Sequence, residues 1–180
     1  LLIIDIQNDY FNNGSMSLID AETAGKNARI LLEHFRQKKR PVIYIQHIAT
    51  RPTATFFIPN TIGADIHECV KPVENEKIII KHYPNSFRDT DLLNTLTDKH
   101  ITHLVICGMM THMCVDATTR AAKDLGYDCT VIGDACATKS LEIMGQKVLA
   151  KDVQTSFLAA LNYFYSTVVS TQDFVINDNP

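Results

Sequence analysis

The chain has no Cys-x-x-Cys pair, no block of basic residues, and no apolar stretch near the roughly 20 residues that a membrane-spanning helix needs. Five cysteines, at 69, 107, 114, 129 and 136, form an odd set, which argues against a disulfide framework and for a reducing, cytoplasmic compartment. Seventeen Lys and Arg against twenty Asp and Glu leave a formal charge of −3, so no nucleic acid or anionic membrane is an expected partner. No G-x-G-x-x-G or G-x-x-x-x-G-K-[ST] loop follows an apolar run, which argues against a nucleotide-binding module. Internal repeats and low-complexity tracts are also lacking. The chain opens at Leu1 inside an apolar run without a methionine, which predicts native residues ahead of it. What these absences leave is a small-molecule substrate, neutral or of mixed charge.

What is present is 180 residues with 46% hydrophobic content, the size of one domain spanning 1–180 and able to bury a full core. Short runs rich in Ile, Val and Leu recur at Leu1 to Ile4, Val42 to Ile45, Ile78 to Ile80, Leu104 to Cys107, Cys129 to Ile132 and Val168 to Val169. Their continuous apolarity predicts strands buried on both faces, and helical periodicity between most of them predicts βαβ units. The expected fold is α/β: three layers, α/β/α, around a mostly parallel, Rossmann-like six-stranded sheet. A first helix is expected over about Glu22 to Lys39, with Ala24, Ala28, Leu31, Leu32 and Phe35 on one face. Others are expected over Thr90 to Lys99 with Leu92, Leu93 and Leu96 together, and from His112 with Val115, Ala122 and Leu125 buried before Gly126. The last is expected near Asp152 to Tyr165, aligning Val153, Phe157, Leu161 and Phe164. Ala49 to Glu76 lacks periodicity, and a connection this long predicts a functional loop, a lid or an oligomer contact, so a homo-oligomer (dimer or tetramer) is expected.

In an open parallel sheet, ligands collect beyond the carboxyl ends of the strands. Three residues stand at such places: Asp5 after Leu-Leu-Ile-Ile, Lys81 after Ile-Ile-Ile, and Cys114 in the helix that restarts after Ile106-Cys107-Gly108. Singly, each has a structural reading: a loop hydrogen-bonder, a solvated strand end, and a small buried apolar residue like Cys107 and Cys129. Together they are a base, a positive charge and a nucleophile able to meet at one sheet edge, the set that covalent acyl transfer requires. The position of Cys114 in the first turn of a helix predicts a field that favours its thiolate. Thr111, three residues earlier, is placed to cap that helix through the Cys114 N–H.

Five segments carry a family resemblance: Leu2-Ile3-Ile4-Asp5-Ile6-Gln7-Asn8-Asp9-Tyr10-Phe11; Gly63-Ala64-Asp65-Ile66-His67; Ile80-Lys81 with Ser86-Phe87 and Thr90-Asp91-Leu92; Gly108-Met109-Met110-Thr111-His112-Met113-Cys114-Val115; and Gly133-Asp134-Ala135-Cys136-Ala137-Thr138. In this order, across almost the whole chain, they resemble the isochorismatase-like cysteine hydrolases, which include nicotinamidases and N-carbamoylsarcosine amidases. The resemblance implies an Asp5, Lys81, Cys114 catalytic triad. It also implies a cis Met109–Met110 peptide, and an oxyanion hole from the N–H groups of Met110 and Cys114. The implied activity is hydrolysis of a C–N bond in a small amide, ureide or carbamoyl compound through a Cys114 thioester. Isochorismate-type vinyl-ether hydrolysis, which needs no thiol, and a catalytically silent binding or interaction member are the alternatives.

Tyr10, Phe11, Tyr83, Phe87, Met109 and His112 are the candidates for substrate contact, with Phe56 and Phe57 of the long loop. The resembling nicotinamidases carry an Asp-x-His metal motif after the second strand. Here that place reads Tyr44-Ile45-Gln46-His47-Ile48, without the carboxylate, and His47 with His67 makes too few ligands, so no metal and no cofactor is expected.

Overall fold

The computed structural model describes residues 1–178 and begins with the buried strand β1 (Leu2–Ile4). There follow α1 (Ala21–Gln37), β2 (Ile43–His47), β3 (Lys77–Lys81), α2 (Leu92–Asp98) and β4 (His103–Met109). The second half holds α3 (Asp116–Asp124), β5 (Asp128–Ala137), a hairpin of β6 (Leu141–Ile143) and β7 (Gln146–Val148), α4 (Ala150–Phe164), β8 (Thr167–Val169) and α5 (Thr171–Asn177). Six strands pair in the order β3-β2-β1-β4-β5-β8, every pair parallel, so all six expected runs join one sheet. The order reverses between β1 and β4, and the crevice past their carboxyl ends is where such a sheet receives a ligand.

Both faces of the sheet are covered. Ile3 on β1, Tyr44 on β2 and Val105 on β4 pack with Ala24, Ala28, Leu31, Leu32 and Phe35 of α1. The alternate residues Leu2, Ile4, Ile43, Ile45, Leu104 and Ile106 pack with Leu92 and Leu96 of α2, Ala122 of α3 and Leu161 of α4. Side chains alternate along a strand, so apolar residues at consecutive positions feed two cores. The α1 stripe is buried as its spacing predicts. The other stripes are narrower than expected: Leu93 is 40% exposed, Leu125 48% and Phe164 65%. Leu93 lies one position off the Leu92/Leu96 face; Leu125 falls past the end of α3, where the chain turns into Gly126; Phe164 is the last residue of α4, beyond the Val153/Leu161 line. No helix among the described residues is long and apolar enough to cross a membrane.

The segment between β2 and β3 carries two short 3-10 turns, Ile62–Ala64 and Glu68–Val70, and is pinned to the chain just after β1. Asn8 N donates to Asp65 O at 3.0 Å and His67 N to Ile6 O at 2.9 Å. The buried Asp9 carboxylate accepts from Phe57 N at 2.7 Å and Ser15 N at 3.1 Å. Gly63 lies so close to Asp9 that a Cβ there would overlap the carboxylate. Gly63→Ala is therefore expected to destabilise the fold by about 1–3 kcal/mol, because the carboxylate can retreat only by giving up its two backbone donors. Denaturant midpoints of the two proteins check this; equal midpoints would show that the loop adjusts freely.

Candidate active site

Three strand ends converge at the crevice. Asp5 follows β1 with φ of 50°, a left-handed conformation that Asp tolerates better than most residues. Its N–H donates to Ile45 O of β2 at 3.0 Å. Lys81 is the last residue of β3. After β4 the Met109–Met110 peptide is cis, and the chain enters one wide π turn, Thr111–Val115, which carries Cys114 and runs into α3. Gly108 makes this approach possible: its φ is 136°, and a Cβ there would strike the Ile4 backbone.

The side chains meet in a dry place, with Asp5 and Lys81 fully buried and Cys114 5% exposed. Lys81 Nζ donates to Asp5 Oδ2 at 2.7 Å and to Cys114 Sγ at 3.2 Å. A third contact, 2.9 Å, runs to His47 Nδ1. One carboxylate oxygen of Asp5, one ring nitrogen of His47 and Cys114 Sγ all lie within 4.8 Å of one another, a set of the kind that holds metal ions. The ammonium touches all three residues, so a metal ion would have to displace a cation already bonded to them. His67 lies elsewhere, stacked on Phe11 with ring centroids 3.6 Å apart.

Burial works against the Lys81 charge, but its contacts with Asp5 and, next, Cys114 overcome it and hold the ammonium above its ordinary pKa. Burial, helped by the Asp5 charge and opposed by Lys81, pushes the Cys114 thiol far above its usual range. Burial thus opposes the field that the start of the helix offers to the thiolate. The field at the start of a helix is a modest effect, and loss of water around the sulfur outweighs it. The resting set is one carboxylate, one ammonium and a thiol, with the second carboxylate oxygen, Asp5 Oδ1, buried without a partner among the described residues.

Thr111 does not cap the helix through Cys114. The π turn begins at Thr111 itself, Met110 holds the capping position without a side-chain bond, and the Thr111 hydroxyl donates to Ala137 O at 3.1 Å. Of the residues expected near a substrate, Tyr10 is buried against Phe56 and Phe57, and that burial holds its phenol well above its ordinary pKa. Met109 is wholly buried in the α1-side core. The other four each have a side-chain partner of their own. Phe11 packs between His67 and Gly25, and Phe87 stacks on Tyr127 beyond the far end of α3. Tyr83 lies under the Arg88 guanidinium at 3.6 Å, and His112 bonds Thr138 Oγ1 at 2.6 Å and faces Phe157.

Two residues gained a place that sequence reasoning had not given them. His47 is the polar end of an apolar run, the same signal that marked Asp5 and Lys81, and the β2–β3 register sets it directly beside Lys81. Gln7, wholly buried, accepts from His47 N at 2.7 Å and donates to His47 O at 2.9 Å and Ala64 O at 2.7 Å. A cavity of about 30 Å³ touches His47, Ala49, Arg51, Phe56 and His82. A larger one of about 610 Å³, between the starts of α1 and α4 and the end of β5, includes none of the converging side chains.

The isochorismatase domain model matches residues 1–173. The uncharacterised isochorismatase-family protein YddQ of Bacillus subtilis is 52% identical over 97% of each chain. A solved protein of Oleispira antarctica, assigned as an isochorismatase hydrolase, superimposes with a TM-score of 0.93 at 47% identity, covering 97% of this chain and 94% of its own. Streptothricin hydrolase of Streptomyces noursei is 34% identical over 77% of this chain and 54% of its own.

Proposed function

The chain belongs to the isochorismatase family of hydrolases, and from that premise we propose that it hydrolyses a C–N bond in a small amide, ureide or carbamoyl compound through a Cys114 thioester. The observation that carries the reading is the Lys81 ammonium bonded at once to Asp5 and Cys114 in a buried crevice, with Asp5 Oδ1 left to accept a proton. Similarity to a streptothricin hydrolase supports a hydrolase of this kind.

Asp5 takes the thiol proton as Cys114 Sγ attacks the carbonyl carbon, so the negative charge moves from carboxylate to sulfur to oxyanion and the site never carries more than one anion for its one cation. The N–H groups of Met110 and Cys114 are the donors proposed for the oxyanion. Collapse expels the amine, which leaves with the proton held on Asp5, and a thioester remains. Water then attacks the thioester with Asp5 again as base, releasing the acid and the free thiol.

A screen of small amides, ureides and carbamoyl compounds with detection of released ammonia tests the proposal. The expected result is turnover of at least one class, stopped when Cys114 is alkylated. Cleavage of isochorismate with no C–N hydrolysis would overturn it in favour of vinyl-ether chemistry.

A further inference from the structure

An ammonium has three hydrogens, and Lys81 presents them to three residues: Asp5, Cys114 and His47. The first two belong to the proposed chemistry; the third has no part in it. We infer that His47 is a positioning residue whose Nδ1 is the third acceptor that fixes the Lys81 ammonium against Asp5 and Cys114. The inference rests on the reading of Cys114 as nucleophile and adds a reason why the cation stays in register with it.

The contact at 2.9 Å is a hydrogen bond only if Nδ1 carries no proton, since the ammonium can only donate. The surroundings enforce that state. Burial, and next the Lys81 charge, lower the His47 pKa to about 4, with His82 and Arg51 acting in the same direction and Asp5 opposing. The imidazole is thus neutral, with its proton on Nε2. The residue is also held from behind: Gln7 bonds both the N–H and the carbonyl of His47, so the ring has a fixed base from which to accept. This pair of hydrogen bonds with Gln7, together with the register that sets His47 opposite Lys81, makes a built contact between adjacent strand ends.

Its worth lies in orientation. Without the third acceptor, one N–H of a fully buried ammonium has no partner, and hydrogen bonding to the charged form is part of what keeps that form charged. The cation then stabilises the developing thiolate less well.

The test uses iodoacetamide, which needs no turnover, with Cys114 alkylation followed by mass spectrometry across pH. His47→Phe, which keeps a ring and removes the acceptor, is expected to slow alkylation about ten-fold at each pH from neutral to mildly alkaline. His47→Asn, which returns an acceptor oxygen near the Nδ1 position, is expected to restore most of the rate at the same pH values. Imidazole nitrogen NMR of the unaltered protein is expected to show a neutral His47 with the proton on Nε2. The inference is overturned if both variants alkylate like the wild type, if both are slowed alike, or if Nδ1 carries the proton. Because alkylation reports the sulfur and not turnover, failure here leaves C–N hydrolysis standing. Activity surviving in a Cys114 variant would instead remove the underlying reading.

Discussion

Cys114→Ala is expected to lower C–N hydrolysis by at least about a thousand-fold while the protein still folds, because the electrophilic carbon then has no partner in the site with which to form a thioester. Two variants separate chemistry from structure. Alanine leaves a small void and deprives Lys81 of one acceptor, for which a loss of about 1–2 kcal/mol is expected in a denaturant titration. Cys114→Ser keeps an acceptor at nearly the same place, so it should recover stability without recovering rate, its hydroxyl being far harder to deprotonate in a dry site than a thiol. Steady-state kinetics on any amide found in the screen, beside the two titrations, checks both halves. Turnover persisting in either variant would point to chemistry that needs no thiol.

Lys81→Met is expected to lower the rate as well and to have a larger effect on stability. Methionine fills the space of the side chain but leaves Asp5, fully buried, as a charge without its counterion. Breaking a buried pair from one side costs about 3–5 kcal/mol. The carboxylate either remains at that cost or is neutralised by a proton, and a carboxylic acid cannot take the proton of the Cys114 thiol. Losses of both folding free energy and rate are therefore expected, with the rate falling by at least about a hundred-fold. The double variant Asp5→Asn with Lys81→Met provides the control. It should regain much of the stability, because no isolated charge remains, and none of the activity. If Lys81→Met alone proved as stable as the wild type, the ion pair would not be the electrostatic centre of the site.

Much of this arrangement could be read along the chain. Asp5 and Lys81 were visible because a polar residue ending a buried strand has nowhere to point but the crevice, and the α1 stripe because five apolar residues fall on one face of a 17-residue helix. What could not be read depended on three-dimensional burial or on very short elements. The state of the Cys114 thiol turns on how completely the fold removes water from it, which no local motif records. The β6–β7 hairpin has three residues per strand, with the left-handed turn falling on Met144 and Gly145, a weak signal beside Asn-Gly. The seven-residue α5 is too short to show a period. The ring partners of Phe11, Phe87 and His112, namely His67, Tyr127 and Phe157, lie on other elements, and no local motif records such pairings.

The order β3-β2-β1-β4 has one more consequence. Residues 81, 47, 5 and 114 come from the ends of four neighbouring strands, so the cradle around the ammonium is drawn from more than a hundred positions of chain and contains no local pair. Every contact within it closes a long loop and forms only when the parallel ladder is complete. Catalytic competence should therefore behave as an all-or-none property of the sheet. Activity and ellipticity should vanish together in denaturant, and no proteolytic piece lacking any of the four strands should retain a fraction of the rate.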